Sequence, residues 1–322
     1  MKSLRERELI VPIVMAGGAG TRLWPVSRHA MPKQFIEILE KGLSSFQSTL
    51  LRVSGPEFAP PVVVTGEDFR FIAAVQMQAI GIRGEIVLEP VRRDSAAAVA
   101  VGAVSVARHD LEAVCLVLAA DHFIRDERIF VADCLKAASA ARDGHVVTLG
   151  IEPDHASTAY GYIQAGEVIG EDGVHRLRAF IEKPDKARAE SYLQRGFLWN
   201  SGNFLFSAAT MIEELEAHAP QVIAAAREAM GKAERDLDFL RLDAGAFKNA
   251  PRISIDYAVM EKTARGAVVK AGFAWSDVGS WDSIYAIKPS DGDGNVLEGD
   301  VSVLDTRNSL VLSQGPLTTV VG

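Results

Sequence analysis

The chain is short of cysteine, of long apolar runs and of surplus positive charge, and each shortage argues against a class of function. Only two of its 322 residues are cysteine, Cys115 and Cys134. They stand among apolar or helical neighbours without metal-ligand spacing, so buried, reduced thiols are expected rather than a disulfide framework or a thiolate metal centre. No stretch approaches the roughly eighteen apolar residues that a membrane helix needs, and the N-terminal MKSLRERELI carries no hydrophobic signal segment. Neither a membrane partner nor export is expected, which makes the cytoplasm the expected location. A formal net charge of -8 disfavours a nucleic-acid surface, which requires a clustered basic face. The two best-known phosphate motifs are missing as well. No G-x-x-x-x-G-K-[ST] run occurs, and Gly18-Ala19-Gly20 is followed by Leu23 where G-x-G-x-x-G needs its third glycine.

What the chain does have is a loop built for anions. An apolar strand over Leu9 to Ala16 runs into Gly17, Gly18 and Gly20, and Arg22, Arg28 and Lys33 follow within a few residues. Glycine lets the backbone approach an anion closely and reach positive φ, so successive N–H groups can converge on phosphate oxygens while cations neutralise the charge. With 48% hydrophobic residues the chain can bury a core for one large domain or two unequal ones.

Apolar, strand-like runs recur at Pro61 to Thr65, Glu85 to Glu89, Ala113 to Leu118 and Val146 to Gly150, with helical patterns between them. Spaced apolar residues mark one such pattern at Phe71, Ile72, Val75 and Ala79, and small apolar residues run from Ser95 to Ala107. This βαβ rhythm predicts an α/β fold, a parallel sheet flanked by helices. Ligands of such sheets bind beyond the carboxyl ends of strands, so the glycine loop and Asp121 should be neighbours. From Tyr160 the pattern changes to a hairpin-like pair around residues 170–173, and the sheet becomes mixed. After Pro289 short Val-rich segments broken by Gly, Asp and Asn predict a separate β segment over 289–322, following a main domain over 1–288.

The loop string GGxGxRL, followed by WPxSR and PKQF, closely resembles the signature of the sugar-1-phosphate nucleotidyltransferases, and its WPxSR…PKQF form is similar to the mannose-1-phosphate guanylyltransferases. Several motifs carry the resemblance in order from about Ile10 to Ile287. It implies a Rossmann-like nucleotide-diphospho-sugar transferase fold, mixed but mainly parallel, and a C-terminal segment that resembles the start of a β-helix-like domain, with the end at Gly322 either natural or a truncation of that domain. The implied reaction joins GTP and mannose 1-phosphate into GDP-mannose with release of pyrophosphate, in a family whose members are often homodimers. The attacking phosphate is already an anion near neutral pH, so cations for the phosphates and carboxylates for a metal are needed rather than a general base.

The resemblance assigns catalytic roles to Arg22, Lys33, Asp121, Lys183 and Asp277. Asp121 and Asp277 are its metal ligands, and two monodentate carboxylates suit Mg²⁺, or another divalent cation such as Mn²⁺. Ala16, Gly17, Gly18, Gly20, Thr21, Arg22 and Lys33 are expected around the nucleotide, with Glu89, Arg93, Asp94 and Ser95 facing the base. Gly161, Glu182, Lys183 and Asn200 are expected around the sugar, with the backbone of Gly161 passing close to the ring. Ser95 reads equally as a helix N-cap, Arg28 equally as a brace for the loop, Trp199 as core, and Asp256 in ISIDYAVME has no derivable role. Where the family commonly has Pro before its ADH string the chain has Ala119, and where RNTAP is common it has Arg93-Asp94-Ser95-Ala96-Ala97. The added charge of Asp94 leaves two alternatives open: the same chemistry with a different nucleotide or hexose 1-phosphate, or a nucleotide-sugar-binding paralogue with reduced catalysis.

Overall fold

The structure is a computed structural model that describes residues 8–18, 21–170 and 173–322. Among the described residues, eleven strands form one mixed sheet. Its first half is built from Val11–Met15, Val62–Gly66, Glu85–Glu89 and Val114–Ala119, all paired in parallel. The long strand Leu198–Ser207 then runs antiparallel between Val114–Ala119 and Val146–Ile151. Gly266–Lys270 and the hairpin of Tyr162–Ile169 with Val174–Ile181 complete that side.

Alternation along these strands divides the apolar side chains between two cores. Ile13, Val64, Val87 and Val117 face the helices Asp94–Ala107, Ala208–His218 and Pro220–Gly231. Val14, Val63, Leu88 and Leu118 face Ser45–Arg52, Arg70–Ala79 and Glu127–Arg142 on the other side. Side chains two residues apart share a face of a strand, so each run supplies both layers. Helix Asp94–Ala107 is buried on nearly every side because Ala and Gly fill it, and a Cβ on Gly102 would lie 2.5 Å from Ile13 Cγ2. Along Arg70–Ala79 the core-facing stripe is Ala73 and Met77, while Phe71 and Val75 turn to solvent. Spacing alone does not say which side of a helix meets the sheet. Cys115 and Cys134 are free and fully buried, and burial pushes both thiols up from their ordinary pKa.

A third, smaller cluster of Leu23, Ile38, Val278 and Ile284 fastens the glycine loop to helix Trp281–Ile287. Beyond it, Val296–Glu298 pairs in parallel with Leu310–Leu312, and Val301–Leu304 with Thr318–Val321. No helix among the described residues is long and apolar enough to cross a membrane.

Candidate active site

The glycine loop leaves the carboxyl end of Val11–Met15 and is pinned before it turns. The carbonyl of Ala16 accepts hydrogen bonds from Gln34 Nε2 at 3.0 Å and Thr65 Oγ1 at 3.0 Å, and Gln34 also reaches the Gly17 carbonyl. Ala16 itself is fully buried. Gly18 has φ of 100°, a conformation other residues rarely adopt. Gly20 lies outside the described residues. Arg28 braces the loop by donating to the Pro25 carbonyl at 3.1 Å, and Thr21 and Arg22 are exposed.

Asp121 follows the neighbouring strand Val114–Ala119. The turn that aims it is held by the Ala120 N–H on the Met15 carbonyl at 3.1 Å, so strand pairing fixes this turn without a proline. Lys33 Nζ lies 3.0 Å from Asp121 Oδ2 and donates to the carbonyls of Asp277 at 2.8 Å and Val278 at 3.1 Å. An ammonium has three N–H donors, so all are engaged. Val278 turns its carbonyl inward at φ of 49°, which is costly for a β-branched residue. Desolvation is the largest single influence and would raise the Asp121 pKa, but the Lys33 charge and hydrogen bond, His122 and a backbone hydrogen bond together hold the carboxyl below its ordinary value. The Asp277 side chain accepts on Oδ1 from the Tyr160 hydroxyl at 3.0 Å and the Gly279 N–H at 3.1 Å.

Two cavities flank this cluster. One, of about 320 Å³, is lined by Gly17, Gly18, Glu89, Arg93, Asp94, Ser95 and Asp121, together with Arg92 and Arg252. The other, of about 690 Å³, is lined by Arg22, Arg125, Tyr160, Trp199, Trp275 and Asp277 among others. In the smaller one, burial raises the Glu89 pKa to about 7, against the opposing pull of Arg92, and its Oε1 has no hydrogen-bond partner. Asp94 sits at φ of 67°, a left-handed position that Asn and Asp tolerate better than most residues, and its carboxylate accepts from the Ser95 N–H. The Ser95 hydroxyl accepts the Ile255 N–H at 2.9 Å, 160 residues away, so it ties the cavity wall to a distant segment instead of capping the helix.

Gly161, Glu182, Lys183 and Asn200 come together, but none of them lines either cavity. A Cβ on Gly161 would lie 2.5 Å from Glu182 Oε2 and 3.3 Å from Asn200 Cβ, so the close approach there is to the protein's own side chains. Lys183 is paired with Glu182. Its pKa is raised: desolvation pulls it down, and the Glu182 and Asp256 carboxylates outweigh that. Asn200 accepts from Thr148 Oγ1 at 2.9 Å and donates to Asp256 Oδ1 at 2.9 Å. Asp256, burial-raised to a pKa of about 6 with Glu182 adding to the shift, thus belongs to this cluster. The string ISIDYAVME singles the residue out without giving it a role, and only the tertiary contact shows where it goes. Tyr160, Trp275 and Gln34 were also missed, although Tyr160 and Trp275 adjoin the motif residues Gly161 and Asp277. His122 accepts from Trp275 Nε1 at 3.3 Å, and desolvation lowers its pKa, so it is a neutral neighbour of Asp121.

No group of three or more His, Cys, Asp or Glu side chains able to hold a metal is present among the described residues. The two aspartates fit a Mg²⁺ site of the kind completed by substrate phosphates and water. Among the described residues, Asp277 accepts its hydrogen bonds on Oδ1, and Asp121 meets Lys33 through Oδ2.

A glycine loop and an aspartate at adjacent parallel-strand ends, with a second aspartate brought in from the far end of the domain, make the architecture of a nucleotidyl transferase. The chain belongs to the nucleotidyl transferase family, whose pattern matches residues 11–293. It is similar to a mannose-1-phosphate guanylyltransferase of Sinorhizobium fredii (strain NBRC 101917 / NGR234), 48% identical over 308 residues, covering 94% of this chain and 60% of that protein. It is 46% identical over 302 residues to the xanthan biosynthesis protein XanB of Xanthomonas campestris pv. campestris (strain B100), covering 93% of this chain and 64% of that one. The chain therefore spans about three-fifths of the length of these curated relatives. The crystal structure of a mannose-1-phosphate geranyltransferase from Thermus thermophilus superposes with a TM-score of 0.85 at 34% identity, covering 98% of this chain and 91% of that one.

Proposed function

We propose that the chain transfers GMP from GTP to α-D-mannose 1-phosphate, forming GDP-mannose and pyrophosphate, with Mg²⁺ or Mn²⁺ as its divalent cation. The observation that carries this reading is the Asp121–Lys33–Asp277 cluster between two cavities, one entered by the glycine loop. Support comes from the similarity, over 94% of the chain, to a relative named for this activity. In the reaction an oxygen of the sugar phosphate bonds to the α-phosphorus as the bond to the β-phosphate oxygen breaks, and pyrophosphate leaves. Both reactants are anions, so the work left to the protein is alignment and charge neutralisation.

The N–H groups of the loop, with Gly17, Gly18, Gly20 and Thr21, and the cation of Arg22 take the triphosphate. Lys33 neutralises the cluster from beneath. Glu89, which lines the smaller cavity and whose buried Oε1 has no hydrogen-bond partner among the described residues, suits the ring N–H and amino group of guanine, while Arg93 and Asp94 bound the same space. Lys183 meets the sugar phosphate, and Glu182, Asn200 and Gly161 shape the hexose side. Asp121 and Asp277 would hold the cation, which when bound offsets the negative charge on the triphosphate. The reading includes a homodimer, a cytoplasmic location and a place in polysaccharide biosynthesis, without nucleic-acid or membrane partners. Initial rates of pyrophosphate release with GTP or ATP, each with mannose 1-phosphate or glucose 1-phosphate, test it. GTP with mannose 1-phosphate should be fastest, and a faster rate with any other pair overturns the assignment.

A further inference from the structure

Asp277 is held by two donors on one oxygen. The Tyr160 hydroxyl and the Gly279 N–H both reach Oδ1, at 3.0 and 3.1 Å, and Oδ2 has no hydrogen bond among the described residues. A carboxylate oxygen offers about two acceptor positions, so Oδ1 is filled and Oδ2 is the only atom left to bind a cation. The Tyr160 ring is itself fixed, edge-on to Trp199 at 4.9 Å and to Trp275 at 5.2 Å. A phenol carries one O–H, and this one is directed at Oδ1. Tyr160 and Asp277 are 117 residues apart in sequence, and the contact exists only because the hairpin entry and the segment after Gly266–Lys270 meet at one end of the sheet.

We propose that Tyr160 is a positioning residue that makes Asp277 a one-oxygen ligand and thereby favours Mg²⁺ over Ca²⁺. The inference rests on the metal-dependent reading above. Mg²⁺ demands near-octahedral single contacts at about 2.0–2.1 Å, whereas Ca²⁺ accepts bidentate carboxylates at about 2.3–2.6 Å. With the hydroxyl in place, a bidentate approach meets an oxygen already committed to two hydrogens. Without it, one position on Oδ1 opens and the larger ion gains a second contact.

Tyr160→Phe tests this, because the ring stays between the two tryptophans and near-UV circular dichroism reports whether it does. Mn²⁺ bound in the presence of GTP is followed by electron paramagnetic resonance and displaced with Mg²⁺ or Ca²⁺. In the variant the preference for Mg²⁺ over Ca²⁺ should fall about 10-fold, the low end of what outer-shell changes cost at metal sites, with little change in the KM for mannose 1-phosphate at saturating metal. An unchanged preference overturns the inference, and a change confined to the sugar KM would make Tyr160 a sugar contact instead. Failure of the unmodified protein to bind Mn²⁺ with GTP overturns the metal-dependent reading itself, and the inference with it. Binding that the variant leaves unaltered overturns the inference alone.

Discussion

The Lys33 ammonium lies 3.0 Å from Asp121 Oδ2 and spends its other two donors on the carbonyls of Asp277 and Val278. One side chain therefore ties a strand end in the first half of the domain to a loop 244 residues further on. Lys33→Met leaves the Asp121 carboxylate without its counter-ion. Breaking a buried pair from one side costs about 3–5 kcal/mol; the Asp121 side chain is 28% exposed, so about 2 kcal/mol is expected here. With Lys33 present, the depressed Asp121 pKa contributes stability above the unfolded carboxylate range that is lost as pH falls through the folded value. Denaturant titrations at pH 7 and pH 3 should show the variant deficit shrinking in acid. Turnover should fall about 100- to 1000-fold, the usual loss when a charge-stabilising donor is removed, and wild-type rates in the variant would remove Lys33 from the site.

Glu89 gives the opposite sign. Its folded pKa is raised to about 7 by burial, so between the unfolded value and pH 7 the folded state holds a proton that the unfolded state has lost. Stability therefore declines as pH rises through that window, by roughly 3 kcal/mol in total. Glu89→Gln should be close to wild type in stability at pH 4.5, exceed it at pH 8, and lose affinity for GTP. Chemical denaturation at the two pH values together with GTP titration checks both, and a parallel pH dependence in the two proteins contradicts the argument.

Gly161→Ala forces the new Cβ to within 2.5 Å of Glu182 Oε2 unless that carboxylate moves. The displacement acts on the Glu182–Lys183–Asn200 cluster and leaves the cavity beside Glu89 alone. A rise of about 10- to 100-fold in the KM for mannose 1-phosphate is expected, with the KM for GTP nearly unchanged. Steady-state kinetics with each substrate varied in turn would expose the error if the GTP term moved instead.

Asn200→Ala strips partners from three groups at once: the Thr148 hydroxyl, the Gly202 N–H and the Asp256 carboxylate. Asn200 is 9% exposed, so water cannot fully replace it, and a stability loss of about 1–3 kcal/mol is expected. Thermal unfolding measures it. No loss would mean that these hydrogen bonds are already dispensable.

The glycine loop, the parallel strands and their helices were legible in order along the chain because each is written in contiguous residues. Alternation with a period of two, small-residue helices and glycine turns are local signals, and the strands at Glu85–Glu89 and Val146–Ile151 lie where the runs predicted them. Motif residues could be named one by one for the same reason. Their partners could not. Lys33 reads as a phosphate cation in PKQF, yet its three bonds go to Asp121, Asp277 and Val278. Asp256 stands in the string ISIDYAVME with no role readable there, and Asn200, 56 residues away, draws it to Glu182 and Lys183. Gly161 reads as room for a ligand, and the structure fills that room with Glu182. Hydrogen bonds and desolvation act over a few ångströms in space, without regard to separation in the chain. The sequence could therefore supply the groups for the chemistry, while the crossing of distant strands decided which oxygen of which aspartate stayed free.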